Sequence, residues 1–447
     1  MNPCLVYLLS LGCSKNQVDS EVMAGALKRD GYQLTDDPAQ AQVIIINTCG
    51  FIEAAQQESI EAILELAEYK RVGQCRLLLA VGCMVEKFQK EMAESMPEID
   101  GFLGVNRYQD ISRLLHEGLG QDGAGGKPAC PGDPYLLRDV PPGTATAYLK
   151  IGEGCSNHCA YCLIPQLRGA YQIRPLEDIL VEARQLADRG VKELVVIAQD
   201  TTCYGYDRYG REMLPDLLEQ LAALPFVMIR LLYAYPDRIT DRLIQVMATH
   251  ANICHYLDMP IQHASPTILR AMKRWGDPQT LLALVEKLRA AMPDIALRTT
   301  VMVGFPGETE ADFQLLLDFL AQARLDWVGC FPYSQEADTP AAVLPGQVEP
   351  DVKQARLDQV MNLAGMMTAQ ALSQRVGQTV PVLAEGPMEE GAPGWYQGRS
   401  FLQAPEVDGL IYFTSPQPVW PGDVYPVSLQ QSDVYDLIGD VSDEPAQ

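Results

Sequence analysis

The feature that most constrains the fold is a repeated pattern: a short apolar run, a turn containing Gly or Asn, and then a helix-like stretch. In residues 4–115 the apolar runs are Leu5–Ser10, Val43–Ile46 and Leu77–Val81. Strands that alternate with helices in this way form parallel sheets. The pattern therefore predicts an α/β fold class, with an open parallel-sheet domain over residues 1–117.

A cysteine lies just beyond each of these three runs, at Cys13, Cys49 and Cys83. All strands of an open parallel sheet point the same way, and such sheets bind ligands at the carboxyl ends of their strands. Three cysteines that follow three strand ends are therefore predicted to share one crevice.

A second series of β/α units begins after residues 118–146, which are dense in Gly and Pro as is typical of a linker or a long loop. Helix-like segments such as Leu176–Arg189 and Pro278–Ala291 separate the apolar runs of this series. Six units predict a central, partial (β/α)6 barrel over residues 147–373, with its chemistry at the carboxyl ends of the strands. The predicted strands are Ala147–Ile151, Glu193–Ala198, Val227–Leu232, His255–Met259, Leu297–Val303 and Trp327–Phe331.

The residue pattern changes again after a long helix that is predicted over residues 351–376. In residues 374–442, Val, Tyr, Phe and Leu alternate with Gly and Pro, as in VPVLAEG and GDVYPVSL. Short strands separated by turn residues predict a small antiparallel β-barrel at the C-terminus.

Composition limits the partners and the compartment. The 34 Lys and Arg residues against 58 Asp and Glu residues give a formal charge of −24, which repels the phosphate backbone of nucleic acids. No apolar stretch reaches the roughly 18 residues of a membrane span, and no Lys or Arg precedes the short apolar run at the N-terminus, as a signal peptide would require. We therefore expect a cytoplasmic protein without a membrane partner, in which cysteine clusters bind metal or perform chemistry.

The most specific motif is GEGCSNHCAYCLIPQLRG, in which Cys155, Cys159 and Cys162 follow the first predicted barrel strand. Three thiolates on one loop can hold three irons of a [4Fe–4S] cluster and leave the fourth iron open. An open iron can bind S-adenosylmethionine, and one electron passed to its sulfonium releases a 5′-deoxyadenosyl radical. The alternative is a structural zinc site, but a fourth ligand at matching spacing is missing and His158 is a weak candidate.

This spacing, the Tyr161 before the last cysteine and the six β/α units resemble the radical S-adenosylmethionine superfamily. The additional strand-end cysteines and the terminal β-module narrow the resemblance to the methylthiotransferases, over essentially the whole chain. The resemblance implies two [4Fe–4S] clusters, S-adenosylmethionine, and a C-terminal module called TRAM. The implied ligands are Cys13, Cys49 and Cys83 for the auxiliary cluster and Cys155, Cys159 and Cys162 for the radical cluster.

Within this family, the segments SLGCSKNQVDSE, IAQDTTCYGYD and YLDMPIQHASPTILRAMKR and the LRG at 167–169 are most similar to the branch that methylthiolates the β-carbon of an aspartate in ribosomal protein S-twelve. The resemblance further implies two molecules of S-adenosylmethionine per reaction, an electron donor and a sulfur donor. The sister branch, which modifies an adenosine in tRNA, typically has GCQMN, CxFCVVPYTRG and LPVQSGS, and this chain lacks those forms.

Charge bears on the choice between the two branches. TRAM modules usually bind RNA, but residues 374–447 contain two basic residues, Arg375 and Arg399, against eleven acidic ones. An acidic module favours a strongly basic protein substrate over tRNA. Two alternatives remain open here: the tRNA-modifying activity, and an iron–sulfur electron carrier or sensor without catalytic turnover.

Other residues near predicted strand ends are candidates for contacts with S-adenosylmethionine. Tyr161 can approach the adenine or simply pack in its loop. Gln199 and Asp200 can recognise the methionyl amino group, or Asp200 can cap a helix. In GFPGE, Gly304 to Glu308 can approach the adenine or form an ordinary βα turn.

Several further residues carry weaker predictions. Gln262 and His263 follow the fourth barrel strand, where a histidine can transfer protons, although a buried structural histidine is the commoner case. Arg168 can neutralise a cofactor carboxylate or cluster charge, or form a solvent-exposed ion pair. Packing thiols are the default interpretation of the remaining cysteines, although Cys203 lies close to the strand that ends at Gln199. These are Cys4, Cys75, Cys130, Cys203, Cys254 and Cys330.

Overall fold

The structure is a computed structural model that describes residues 4–120, 134–388 and 393–442. Its contacts divide the chain into two compact units. The first unit comprises residues 1–141, 153–157 and 162–182, and the second comprises residues 142–152, 158–161 and 183–447.

The first unit contains a five-stranded sheet in which every pairing is parallel, which confirms the predicted open parallel sheet. Its two central strands are buried along their whole length and therefore appear in the sequence as uninterrupted apolar runs. In spatial order the strands are Gln33–Leu34, Leu5–Ser10, Val43–Thr48, Leu77–Gly82 and Gly101–Leu103.

Apolar layers cover both faces of this sheet. Successive residues of a strand point to opposite faces, so Val43 and Ile45 join one buried cluster while Ile44 and Ile46 join the other. The α-helices of the unit are Ser14–Arg29, Glu53–Ala67, Tyr69–Val72, Cys83–Ser95, Ile111–Gly118 and Ile164–Leu167, and its 3-10 helices are Tyr108–Asp110 and Pro134–Leu137.

The second unit contains a six-stranded parallel sheet whose strands follow one another in chain order. The six predicted β/α units are confirmed, and each strand begins and ends within two residues of its predicted bounds. The strands are Thr146–Lys150, Glu193–Ile197, Met228–Leu231, Ile253–Asp258, Ala296–Val303 and Trp327–Pro332.

Helices connect these strands, and the helix predicted over Pro278–Ala291 has those bounds in the structure. The long helix predicted over residues 351–376 is Pro350–Ser373. The other α-helices in this part of the chain are Leu176–Asp188, Tyr206–Tyr209, Leu214–Ala222, Asp241–Thr249, Pro266–Ala271 and Glu310–Ala323. The 3-10 helices are Thr201–Cys203, Pro236–Arg238 and Pro340–Val343, and two short strands, Gly152–Glu153 and Gln172–Ile173, flank the second cysteine loop in sequence.

A closed five-stranded barrel forms the C-terminal module, as the short strands and turn residues predict. One of its pairings, between the third and fifth strands, is parallel. The first strand pairs antiparallel with the second and the fourth, and the second pairs antiparallel with the third, so the third and fourth strands run in opposite directions. The fifth strand pairs antiparallel with the fourth and therefore runs in the same direction as the third. The strands are Thr379–Pro387, Trp395–Arg399, Ile411–Thr414, Val424–Ser432 and Leu437–Val441.

A buried charge network joins this barrel to the parallel sheet of the same unit. Glu193 accepts hydrogen bonds from Arg230 Nε and Arg399 Nη1, both at 2.8 Å, and all three side chains are buried. Arg230 also donates to the carbonyl oxygens of Ser400 and Phe401. Burial opposes ionisation of Glu193, but the two guanidinium groups lower the pKa of this carboxyl below its ordinary value. The network therefore satisfies three charges that would otherwise be costly to bury.

No helix among the described residues is long and apolar enough to cross a membrane.

Candidate functional site

Cys13, Cys49 and Cys83 lie at the carboxyl edge of three adjacent strands of the N-terminal sheet. Cys13 precedes helix Ser14–Arg29 and is exposed, and Cys49 follows strand Val43–Thr48. Cys83 begins helix Cys83–Ser95 and is buried. The structure thus brings the three thiols to one edge of the sheet, as the strand–cysteine pattern predicts.

Glycines allow the three loops to approach closely. A Cβ atom on Gly12 would lie 2.7 Å from Cys49 Cβ and 3.0 Å from Cys49 Sγ. A Cβ atom on Gly50 would lie 2.7 Å from the Cα of Met84, the residue after Cys83. The loop of Cys13 therefore contacts Cys49, and the residue after Cys49 contacts the helix that begins at Cys83.

Arg168, from the LRG segment, is buried against the last of these thiols. Its Nε donates to Cys83 Sγ at 3.3 Å. Nη1 donates to Asp19 Oδ2 at 3.1 Å and to Glu153 Oε2 at 2.8 Å, and Nη2 donates to Asn16 Oδ1 at 2.6 Å and to Asp19 Oδ2 at 3.1 Å. Of the two alternatives for Arg168, the solvent-exposed ion pair is wrong, because the side chain is buried.

Burial disfavours the thiolate form of Cys49 and Cys83. It raises the pKa of Cys83 to about 11, although Arg168 lowers it, and it also raises the pKa of Cys49. Cys13 and Cys49 both raise the pKa of Cys83, so the three groups are close enough to interact electrostatically. In residues 4–120, 134–388 and 393–442, no group of three His, Cys, Asp or Glu side chains already has metal-site geometry.

The donor set nevertheless fits an iron–sulfur cluster. Thiolates are the usual ligands of such clusters, and a bound metal keeps the coordinating thiols deprotonated. N–H groups that donate to a ligand sulfur help to set the reduction potential of the cluster. Cys13, Cys49 and Cys83 supply three thiols from loops that touch one another, and Arg168 supplies the N–H donor.

The second set of cysteines lies on the loop after strand Thr146–Lys150. The backbone N–H of Cys155 donates to the carbonyl oxygen of Gly169 at 3.1 Å, which fixes the start of the loop. At its end, the backbone N–H of Ile164 donates to Cys162 Sγ at 3.4 Å. This N–H donor suits a thiolate ligand at Cys162.

Cys159, the middle cysteine of the loop, has two donors of its own. Its Sγ lies 3.4 Å from the Tyr235 hydroxyl and 3.8 Å from Arg274 Nη1. The Arg274 guanidinium also lies 3.8 Å from the centre of the Tyr235 ring, in a cation–π contact. Burial raises the pKa of the Tyr235 hydroxyl well above its ordinary value, so this group remains a proton donor to a thiolate at position 159.

Tyr161, between the last two cysteines, packs against a small apolar cluster that includes Phe305 and Tyr333. Those two rings meet edge to face at a centroid distance of 5.4 Å. Phe305 belongs to the GFPGE turn after strand Ala296–Val303. Tyr161 therefore packs against a cluster that includes a residue of the turn predicted to approach the adenine, and its contact with S-adenosylmethionine stays a prediction.

Family models match three successive parts of the chain. Residues 5–104 match a model described as "Uncharacterized protein family UPF0004", residues 149–320 match the Radical SAM superfamily, and residues 376–441 match the TRAM domain. These matches fall on the N-terminal sheet, the six-stranded sheet and the C-terminal barrel, respectively.

Curated relatives match almost the whole chain. The ribosomal protein uS12 methylthiotransferase RimO of Pelotomaculum thermopropionicum is 48% identical over 444 residues, which cover 97% of this chain and 98% of the relative. The enzyme of the same name from Clostridioides difficile is 45% identical, with 98% of each chain covered. The chain belongs to the RimO family.

Among solved structures, this RimO-family chain is similar in fold to the radical S-adenosylmethionine methyltransferase TsrM from Kitasatospora setae. The TM-score is 0.56 at 15% identity, and the match covers 88% of this chain and 80% of that one.

Asp200 acts as a helix cap in this RimO-family chain. Its carboxylate accepts from the backbone N–H and the hydroxyl of Thr202 and pairs with Arg238 Nη1 at 2.8 Å. The capping alternative is therefore correct, while contact of Gln199 and Asp200 with S-adenosylmethionine stays a prediction. Cys203 Sγ lies 3.1 Å from Asp200 Oδ2, in the same group of side chains.

Glu308 closes the GFPGE turn. It accepts from the backbone N–H of Phe305 at 3.0 Å and pairs with Arg356 of the long helix at 3.2 Å. Burial raises its pKa to about 7, against the lowering effect of Arg356. Gly304 has a φ of 70°, and the side chain of Lys353 occupies the space where a Cβ atom on Gly304 would lie. Cofactor contact by Gly304 and Glu308 remains a prediction.

His263 is a structural histidine. It is buried, and its Nδ1 accepts from the backbone N–H of Ser265 at 2.9 Å. Burial lowers its pKa to about 4, although Asp312 raises it and Arg356 lowers it further. Gln262 pairs through its backbone with strand Ala296–Val303 at a φ of 71°. The commoner interpretation of His263, a buried structural residue, is the one the structure supports.

Packing explains most of the cysteines outside the two triads. Cys75, Cys254 and Cys330 are buried, and burial raises the pKa of all three thiols. Cys4 is half-buried with a raised pKa, also because of burial. Cys130 lies outside the described residues.

Reasoning from the sequence did not identify Tyr235 and Arg274 as neighbours of Cys159. A usable signal existed for Tyr235, because it lies four residues beyond strand Met228–Leu231, at the carboxyl end where such sheets place their chemistry. Arg274 follows the short helix Pro266–Ala271, and no comparable local signal marks it.

Proposed function

We propose that this chain methylthiolates the β-carbon of an aspartate in ribosomal protein uS12, with two [4Fe–4S] clusters and two molecules of S-adenosylmethionine. The observation that carries the proposal is full-length similarity of 41–48% identity to relatives named uS12 methylthiotransferase. Both cysteine triads that such a reaction requires are present, each on loops at the carboxyl ends of parallel strands.

Charge within the C-terminal module supports a basic protein substrate over tRNA. One of its two arginines, Arg399, is not available to phosphates because it is buried against Glu193 and Glu385, and the other, Arg375, is half-buried and donates to the carbonyl oxygen of Asp294. Within the described part of residues 374–442 these are the only Lys or Arg residues, so the module presents acidic groups to a partner. Lys and Arg side chains supply most of the affinity of RNA-binding surfaces.

Each triad has a distinct task in this proposal. When bound, the cluster at Cys155, Cys159 and Cys162 supplies the electron that cleaves S-adenosylmethionine, and the cluster at the other triad holds the sulfur that is methylated and transferred. Tyr235 and Arg274 orient the sulfur of Cys159 and offset negative charge there. We assign the auxiliary ligands to Cys13, Cys49 and Cys83.

The S-adenosylmethionine contacts are proposed to lie at the ends of neighbouring strands of the six-stranded sheet. Tyr161 and the GFPGE turn share an apolar cluster that suits an adenine ring. We assign contacts to Tyr161, Gln199, Asp200, Gly304 and Glu308.

We further propose three domains over residues 1–117, 147–373 and 374–442, with 118–146 as the linker. The proposed site of action is the cytoplasm, where ribosomes are assembled. An electron donor and a sulfur donor are required partners.

The decisive experiment supplies the anaerobically reconstituted chain with dithionite, S-adenosylmethionine, sulfide and a uS12 peptide that contains the aspartate, and then analyses the peptide by mass spectrometry. We expect the mass of one methylthio group in place of hydrogen on the aspartate. An unmodified peptide together with a modified tRNA anticodon stem would assign the chain to the sister activity instead.

Cysteine variants separate the two triads. Cys155→Ala should abolish both 5′-deoxyadenosine formation and peptide modification. Cys13→Ala should still form 5′-deoxyadenosine but should not transfer sulfur. Cys254→Ala is a matched control, because this buried thiol belongs to neither triad. Full methylthiolation by Cys13→Ala would refute the assignment of the two sites.

A further inference from the structure

We propose that Arg168 is a positioning residue that holds the sulfur of Cys83 and stabilises the reduced state of the cluster at Cys13, Cys49 and Cys83. The inference rests on the proposed function, because it requires a cluster at these three thiols. It adds a residue of the LRG segment, which follows the radical-cluster motif, to the surroundings of the auxiliary cluster.

The hydrogen bonds of Arg168 fix its orientation. A guanidinium has five N–H donors, and five hydrogen bonds are present. Four of them, from Nη1 and Nη2, anchor the group on Asp19, Glu153 and Asn16. The single N–H of Nε points at Cys83 Sγ, so the anchored side chain presents one donor to one ligand sulfur.

Burial strengthens the electrostatic effect of Arg168 on the Cys83 sulfur. The side chains of Arg168 and Asp19 are 1% and 0% exposed, so neither water nor salt screens them effectively. A cation beside a ligand sulfur favours the cluster state with more negative charge, which is the reduced state. Loss of the guanidinium would also remove the cation that offsets the charge of the nearby Asp19 carboxylate, and both effects disfavour reduction.

The test uses a chain that can bind only the auxiliary cluster. Cys155, Cys159 and Cys162 are replaced by Ala, the protein is reconstituted anaerobically, and the midpoint potential is measured by redox titration followed by electron paramagnetic resonance. In this background we expect Arg168→Gln to shift the midpoint to a more negative value. Arg168→Lys keeps the charge and should shift it less.

Arg138→Gln is the matched control. Arg138 is as deeply buried in the same unit, and its ion pairs with Glu21 and Glu182 are to carboxylates rather than to a thiol. It therefore carries the same structural cost of losing a buried arginine and should leave the midpoint unchanged.

The outcomes are distinct. If the background chain with Arg168 intact binds no iron at Cys13, Cys49 and Cys83, the proposed function fails. If iron is bound and Arg168→Gln leaves the midpoint unchanged, or if Arg168→Lys shifts it as far as Arg168→Gln does, the inference is overturned.

Should Arg168→Gln fail to bind iron, Asp19→Asn decides the question. It removes the carboxylate that offsets Arg168, so we expect a less negative midpoint. An unchanged or more negative midpoint in that variant would contradict the role of the arginine.

Discussion

The close approach of the Cys13 loop to Cys49 leads to a sharp prediction for Gly12→Ala. The new Cβ would lie 2.7 Å from Cys49 Cβ, whereas non-bonded carbon atoms prefer about 3.5–4.0 Å. The Cys13 loop or Cys49 must therefore move by about 1 Å, roughly twice the 0.5 Å within which a functional constellation has to be held. We expect the variant to lose the auxiliary cluster.

Gly31→Ala separates this displacement from backbone strain. Gly12 and Gly31 both have a positive φ, 88° and 92°, so both substitutions carry a backbone cost of about 1–2 kcal/mol. A Cβ on Gly31, however, would have no atom within 4 Å. The two variants should share this backbone cost, and Gly12→Ala alone should lose the auxiliary cluster.

Iron and sulfide analysis after anaerobic reconstitution measures that difference. Gly12→Ala should retain about four of about eight iron atoms per chain, since each [4Fe–4S] cluster contributes four. It should form 5′-deoxyadenosine without modifying the uS12 peptide, while Gly31→Ala should retain both clusters and the transfer activity. A Gly12→Ala protein that binds both clusters and transfers sulfur as Gly31→Ala does would refute this account of the site.

Three further outcomes follow from buried polar groups. Glu193→Gln removes the Glu193 carboxylate from two buried guanidinium groups, and in urea titrations of the metal-free chain it should lower the free energy of unfolding by about 3–5 kcal/mol. The control Asp216→Asn, in a surface ion pair, should lower it by less than about 1 kcal/mol. Equal losses in the two variants would contradict this prediction. Because the pKa of His263 is lowered from about 6.5 to about 4, its contribution to the free energy of unfolding is fully present above pH 6.5 and is lost as the pH falls from 6.5 to 4. The loss should reach about 3 kcal/mol, and His263→Asn should flatten this part of the stability–pH curve. Tyr235→Phe removes the hydroxyl near Cys159 Sγ and should make the radical cluster harder to reduce, which slows 5′-deoxyadenosine formation without loss of iron; an unchanged rate would contradict the contact.

The sequence predicts best those elements whose pattern is local. Strands Val43–Thr48 and Leu77–Gly82 are buried on both faces and appear as unbroken apolar runs. Strands Gln33–Leu34 and Gly101–Leu103 contain only two and three residues and are not predictable in this way. They are strands because they pair with a neighbour, as Gln33 does with Leu5, and such pairing leaves no local pattern.

The same distinction applies to the site. The cysteines are visible because motif spacing and strand ends are properties of adjacent residues. Arg168 is different, since its contact with Cys83 joins positions 85 residues apart and depends on tertiary packing alone. Motif reasoning reached the possibility that Arg168 neutralises cluster charge, but it could not exclude a solvent-exposed pair until the burial of the side chain was known.

Burial also changes what the net charge means. Arg399 counts as one of two cations in the acidic C-terminal module, yet its charge is cancelled internally by Glu193 and Glu385. Arg168 is likewise matched by Asp19 and Glu153. These two arginines are therefore neutralised inside the protein and do not offset the acidic groups at its surface. A surface of that sign attracts a basic ribosomal protein and repels RNA, so the internal ion pairs and the choice of substrate are two consequences of one charge distribution.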